Sequence, residues 1–146
     1  MARPTPNQRD FYVTFQSLQT RWADNDIYGH MNNVVHYALF DTAIGNFLLS
    51  EKLLDIDGGD TIGVVVETGC SYFSEMAFPD MVTAGIRIAH MGSSSVRYDI
   101  GLFRNDEVLA AAQGHFVHVY ADRDNRKPKP LPDKWRRTLA KFSRDS

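Results

Sequence analysis

Only one cysteine, Cys70, stands in the 146 residues of this chain. A lone thiol excludes an internal disulfide and a multi-cysteine zinc site, and it fits a reducing, cytoplasmic setting. Net charge is nearly absent too. With 16 Lys+Arg against 18 Asp+Glu the balance is −2, which excludes a generally basic, nucleic-acid-coating protein. No apolar run approaches the ~18–20 residues needed to cross a bilayer. Residues 1–10 are polar, contain Pro4 and Pro6 and lack an apolar centre, so they read as a flexible lead-in and not as a secretory signal. Internal repeats and low-complexity tracts are missing. What remains is a globular composition, 43% hydrophobic and 23% charged. Its length suits one domain, at roughly 100–200 residues per domain. The expected division is a flexible N-terminus over 1–10, a domain over 11–121, and a C-terminal loop and short helix over 122–146 packing on it.

Phe11, Val13 and Phe15 alternate with Tyr12, Thr14 and Gln16, which predicts a strand running on towards Trp22. Residues 23–33 are rich in Asp, Asn and Gly and predict an irregular loop. From Val34 to about Lys52, Tyr37, Phe40, Ile44, Phe47 and Leu48 fall on one helical face, widened by Leu39, Ala43 and Leu49. A helix with so thin a polar stripe is expected to be largely buried, capped by Asn32 or Asn33, with Gly45 admitting a neighbouring backbone. Asp55–Asp60 is a turn cluster. Ile62–Phe73 is Val-rich and expected to be buried. Val82, Ala84, Ile86 and Ile88, then Val96, Tyr98, Ile100 and Leu102, alternate in two strands joined at Gly92-Ser93. After Asn105-Asp106, a last strand is expected over Val108–Tyr120, and Trp135, Leu139 and Phe142 suit a short helix starting near Pro132. The order predicts an α+β fold in which a curved antiparallel sheet covers one long helix.

The densest cluster of functional side chains is Asp24, Asp26, His30, Asn32, Asn33 and His36, where the loop enters the long helix. A helix N-terminus offers free N–H groups and partial positive charge, suited to a developing oxyanion. A carboxylate beside it can act as nucleophile or as general base. Together they are the minimum equipment for acyl transfer. Each residue also has a plain structural reading. Asp26 suits an Asx turn, Asp24 a set of loop amides, and Asn32 and Asn33 a cap. No metal spacing appears among the Asp and His residues, so no metal is expected. Cys70 reads as a structural thiol, and His115 and His118, on opposite faces of the last strand, as structural histidines.

Residues 21–33, Arg-Trp-Ala-Asp-Asn-Asp-Ile-Tyr-Gly-His-Met-Asn-Asn, resemble the signature of the 4-hydroxybenzoyl-CoA thioesterase-like hotdog family. The pattern is an aromatic strand end, Asp-x-Asp, two residues, Gly-His, one residue, Asn-Asn, and later a Phe-acidic pair, here Phe40-Asp41. The residues 92–98 hairpin and the Leu-Pro-Asp-Lys-Trp-Arg ending at 131–136 resemble it as well. The family's helix aromatic falls on His36, a departure, with Tyr37 following. The resemblance implies a hotdog fold with a sheet of five to six strands. It also implies homodimers, possibly paired into tetramers, with active sites between subunits. The implied reaction is hydrolysis of an acyl-CoA thioester without metal or redox cofactor, coenzyme A being part of the substrate. It places the catalytic carboxylate on Asp26, the oxyanion amides on Asn32 and Asn33, the loop glycine on Gly29 and the loop histidine on His30. Tyr28, Tyr37, Ser93, Ser94, Ser95 and Arg97 are candidate substrate contacts, with Arg123, Arg126 and Lys127 as phosphate partners. Phe40, Ile44, Phe47, Phe73 and Phe78 are candidate pocket residues.

Two other functions share this equipment. A hotdog enoyl-CoA hydratase needs Asp26 and His30 poised on one water. A non-catalytic acyl-CoA or acyl-carrier binding module needs only the amides and a groove. No nucleic-acid or membrane partner is expected.

Overall fold

The computed structural model describes residues 4–54 and 59–143. Five antiparallel strands form one sheet in the order β1-β3-β4-β5-β2. They are β1 Thr14–Gln19, β2 Thr61–Tyr72, β3 Met81–Met91, β4 Ser95–Arg104 and β5 Ala112–Asp122. The long helix α1, Asn33–Ser50, lies on one face of the sheet, and the short helix α2, Asp133–Ala140, closes the end. The α+β class is as the sequence predicts. Part of the Asp55–Asp60 turn cluster, residues 55–58, lies outside the described residues.

The core forms where α1 meets the alternating rows of β3 and β4. Phe40, Ala43, Ile44 and Phe47 pack on Val82, Ala84, Ile86 and Ile88 and on Val96, Tyr98, Ile100 and Leu102. Asn32 caps the helix, its side-chain oxygen accepting from the Val34 amide at 3.0 Å. Leu131, Trp135 and Leu139 join the same core. Phe142 meets Phe47 edge-on at 4.8 Å.

Four expectations are corrected. The first strand begins at Thr14, because Arg9–Phe11 forms a 3-10 turn, and its inward residues are Gln16 and Leu18 while Phe15 stays exposed. Tyr12 is buried instead on the opposite face of the sheet, over Gly85 and Gly101, where it packs on Phe103. The Val-rich strand is not buried. Its place at the edge leaves Val64, Val65 and Val66 exposed, Val66 by 57%. The last strand starts at Ala112 because the preceding segment pairs with the N-terminus, through a Gln8–Leu109 bridge and an Ala110 amide bonded to Asn7. Finally, α1 keeps one open side, Val34, Ala38, Asp41, Thr42, Asn46 and Leu49, since the sheet covers only the other. Gly45 borders that side, and a Cβ there would meet nothing within 4 Å. No described helix is long and apolar enough to cross a membrane.

Candidate active site

The loop between β1 and α1 is tied down by its own acids. Asp24 is buried and accepts from the Arg21 amide at 2.8 Å and from the Arg21 guanidinium at 2.8 and 3.0 Å. Its role is to fold the loop. Asp26 is a quarter exposed at its side chain. Its Oδ1 accepts from the Tyr28 amide at 2.8 Å in an Asx turn, and from the His30 amide at 3.4 Å. The turn passes through Gly29 at φ +85°, which explains the glycine: a Cβ would meet nothing there, so only backbone conformation selects it. The turn sets His30 against its own acid, with Nδ1 3.4 Å from Asp26 Oδ2. On its other side His30 Nε2 lies 3.8 Å from Glu75 Oε1. Tyr28 stacks on the His30 ring at 6.1 Å.

At the helix start the two asparagines differ. The Asn32 amide donates to the Asp24 carbonyl at 2.8 Å and is therefore engaged in holding the loop. The Asn33 N–H has no hydrogen-bond partner among the described residues, as the geometry of a first helical residue requires. Asn33 also lines a cavity of 320 Å³ together with His30, Met31, His36 and residues 72–76 from the exit of β2. The cavity is thus bordered by Asn33 and His30, while Asp26 does not line it and stands against His30.

His36 is 5% exposed and forms one wall, with Tyr72 edge-on to it at 4.7 Å. Burial holds the His36 imidazole below its ordinary value, and its Nδ1 is buried without a hydrogen-bond partner. Burial also pushes the Tyr72 hydroxyl up to about 12, and that hydroxyl donates to the Asn33 carbonyl at 3.4 Å. Tyr72, Ser74, Glu75 and Met76 were not legible as site residues. They arrive from across the chain, and no local spacing links them to the Asp26 loop.

The other candidates scatter. Tyr37 does not line the cavity; its ring packs between Phe40 and Phe116 at 6.0 and 6.4 Å. Phe73 lines it, Phe40 and Phe47 are in the core, Ile44 lines a second cavity, and Phe78 meets Trp22 edge-on. Arg97 lies on the outer face of the sheet beside Asp99, at 3.3 Å. Ser93, Ser94 and Ser95 form the β3–β4 turn, where the Ser94 carbonyl accepts from the Tyr120 amide. Arg123, Arg126 and Lys127 follow β5 at that same end. The site lies at the other end, where Tyr72 pairs with Ala112. At ~3.3 Å per residue, the length of β5 separates them by about 30 Å. One chain therefore does not bring the phosphate candidates to Asp26. Among the described residues no group of acids, histidines or cysteines is placed to hold a metal. Cys70 is half-buried, its thiol pushed up by burial, and His115 pairs with Glu67 at 2.9 Å.

The thioesterase-like superfamily matches residues 20–139 of this sequence. The chain belongs to that superfamily. Its structure superposes on the PA5185 protein of Pseudomonas aeruginosa with a TM-score of 0.93 and 45% identity, covering 98% of this chain and 99% of that one. It shares its fold with a 1,4-dihydroxy-2-naphthoyl-CoA thioesterase from Synechocystis, at a TM-score of 0.79 and 20% identity over 90% of this chain and 98% of that one. The YsmA protein of Bacillus subtilis is 23% identical over 136 residues, 93% of this chain and 91% of its own. The fold of this thioesterase-superfamily chain is the hotdog. Superfamily membership supports thioester hydrolysis as its activity.

Proposed function

We propose that the chain hydrolyses acyl-CoA thioesters, with Asp26 as nucleophile or general base and the Asn33 amide as an oxyanion donor. The observation that carries this reading is that Asn33, whose N–H is unpartnered at the helix start, lines the same cavity as His30, whose ring abuts Asp26. Attack on the thioester carbon, by Asp26 or by a water that it deprotonates, creates an oxyanion. A helix-start N–H stabilises it, and one such donor is typically worth about 10²–10³ in rate. The C–S bond then breaks and coenzyme A leaves as its thiolate. If Asp26 attacks, water hydrolyses the resulting anhydride to release the acid. The Synechocystis neighbour is a 1,4-dihydroxy-2-naphthoyl-CoA thioesterase, which supports a coenzyme A thioester as the substrate class.

The working unit in this reading is a dimer. β2 presents unpaired backbone and three exposed valines along one edge, the kind of edge that pairs with another chain. Antiparallel pairing of β2 with β2 of a second copy sets the Thr61 end of one beside the Tyr72 end of the other. The Ser93–Ser95 turn and Arg123 and Arg126 of the second copy then approach the cavity that a single chain leaves without a phosphate partner.

Asp26→Asn tests the chemistry. Asn retains an Oδ1 acceptor for the Tyr28 amide, so the melting temperature stays near that of the wild type. Release of free thiol from an acyl-CoA panel falls by about 10²–10⁴. Unchanged turnover of the substrate that the wild type hydrolyses would remove Asp26 from the reaction. Single turnover in heavy-oxygen water separates the two roles, since an anhydride leaves label in Asp26. A hydratase requires His30 and Asp26 on opposite sides of one water. Here Asp26 Oδ2 stands 3.4 Å from His30 Nδ1, which leaves no room for a water between them, and loss of enoyl absorbance without thiol release would favour that alternative.

A further inference from the structure

Glu75 follows β2 and lines the cavity at the start of α1, and the backbone around it is fixed. The Met31 amide donates to the Met76 carbonyl at 2.7 Å, so the chain neighbours of His30 and Glu75 are bonded to each other. Before Glu75, the Phe73 and Ser74 amides both donate to the Ala111 carbonyl. After it, the Phe78 amide donates to Asn25 Oδ1 at 2.9 Å. Glu75 Oε1 stands 3.8 Å from His30 Nε2, and Asp26 Oδ2 stands 3.4 Å from His30 Nδ1. Two carboxylates thus flank one imidazole.

The sign of the charge at the cavity follows. An imidazole carries at most one positive charge, so the three groups together are anionic in either protonation state of His30. No lysine or arginine is among the described residues that line the cavity. His36 and Tyr72, also on its wall, are uncharged at pH 7, since burial holds the imidazole below its ordinary value and pushes the hydroxyl up to about 12. In the reading proposed above, the phosphates of coenzyme A lie against Arg123 and Arg126 of the second copy and neutralise them. The pantetheine arm between phosphates and thioester carries no charge. The acyl group is therefore the one part of the substrate that can set a charge beside Glu75. In a cavity of 320 Å³ the far end of a short acyl group stays close to that carboxylate. The Glu75 side chain is 77% exposed, so water weakens its field without removing it.

We propose that Glu75 is a specificity-determining residue: it disfavours short acyl groups that end in a carboxylate, and the thioesters taken are those with an uncharged or cationic acyl group. This rests on the thioesterase reading.

Two pairs of thioesters separate charge from shape. Glutaryl-CoA and 5-methylhexanoyl-CoA differ by a terminal carboxylate against an isopropyl group. β-Alanyl-CoA and butyryl-CoA differ by an ammonium against a methyl group. The kcat/KM ratio of each pair is compared in the wild type and in Glu75→Gln, which keeps the size of an exposed side chain and removes its charge. The cost of desolvating a charged end is common to both proteins, so the change in ratio reports the Glu75 charge. Glutaryl-CoA is expected to gain about three- to tenfold on its partner in Glu75→Gln, and β-alanyl-CoA to lose by a similar factor. Added salt narrows the wild-type difference in the same directions. Ratios that stay unchanged, or that move with the same sign in both pairs, overturn the proposal. Binding of S-(4-carboxybutyl)-CoA and S-(5-methylhexyl)-CoA, thioethers that cannot be hydrolysed, frees the result from turnover. If no ester is hydrolysed while Glu75→Gln tightens the carboxybutyl thioether relative to the other, the thioesterase reading falls and the role of Glu75 stands. If the esters are hydrolysed and neither ratio moves, the thioesterase reading stands and the role of Glu75 falls.

Discussion

At His36 and His118 the chain keeps two imidazoles out of water, and burial holds both below the ordinary value. In the unfolded chain they titrate near ~6.5. Below that pH the unfolded state binds more protons than the folded one, so these residues make stability fall as pH falls. Their contribution is complete above pH 7 or so and is lost as pH drops through ~6.5 towards the folded values, with a limiting slope of about 1.4 kcal/mol per unit for each. Urea midpoints at pH 8, 7, 6 and 5.5 should hold level and then decline, and His36→Phe should flatten the decline. Asp80 and Asp122, held below the usual carboxylate value, act in the same direction but at lower pH. A level profile down to pH 5.5 would show that neither histidine is buried as a free base. Which residues were legible follows from the same local physics. Asp26, Gly29, His30 and the asparagines form one short segment, so spacing alone gathers them. The engaged Asn32 amide and the wall residues Tyr72, Ser74, Glu75 and Met76 were not legible, because both depend on what the loop meets after folding.

Among the elements, α1 was readable because cap, period and length agree. The strands β3 and β4 were readable because their alternation has one buried row against α1. β1 and β2 were not. Short apolar alternation does not say which row faces the helix, and a Val-rich run looks the same at the centre of a sheet and at an edge that awaits a partner. Tyr12 shows what settles the first case. Its ring lies over Gly101, where a Cβ would stand 2.5 Å from Tyr12 Cε2, and its hydroxyl accepts from the Asn7 amide group at 3.1 Å. The glycine is therefore a seat for the ring on the outer face. Gly101→Ala should lift that ring and destabilise the protein by about 1–3 kcal/mol in urea titrations. In a Tyr12→Ala background the same substitution should cost much less, because the collision has gone. Equal costs in both backgrounds would mean that Tyr12 is not what the glycine accommodates.

For the whole molecule the issue is that Asp26 and the arginines of the β5–α2 loop stand at opposite ends of one sheet. A site built from both, as proposed, would need two chains, and a two-fold axis at the β2 edge would supply two such sites at once. This makes a complementation test decisive. Asp26→Asn removes the proposed reacting group from one end, and Arg123→Ala with Arg126→Ala removes the proposed phosphate partners from the other. Each variant alone should be weak on acyl-CoA below KM. After the two are mixed and allowed to exchange, half of the dimers are hybrids. In each hybrid one site combines an intact Asp26 with intact arginines, and the other combines both defects. Activity should recover to about a quarter of the wild-type value. Were Asp26 and the arginines to serve one site within a single chain, no hybrid would hold a complete site and mixing would restore nothing. Val66→Lys provides the control. A charge on the exposed edge should prevent pairing, which sedimentation would register as monomer, and should abolish the recovery. Full activity of the Arg123→Ala, Arg126→Ala variant by itself would place the phosphate contacts elsewhere on the chain.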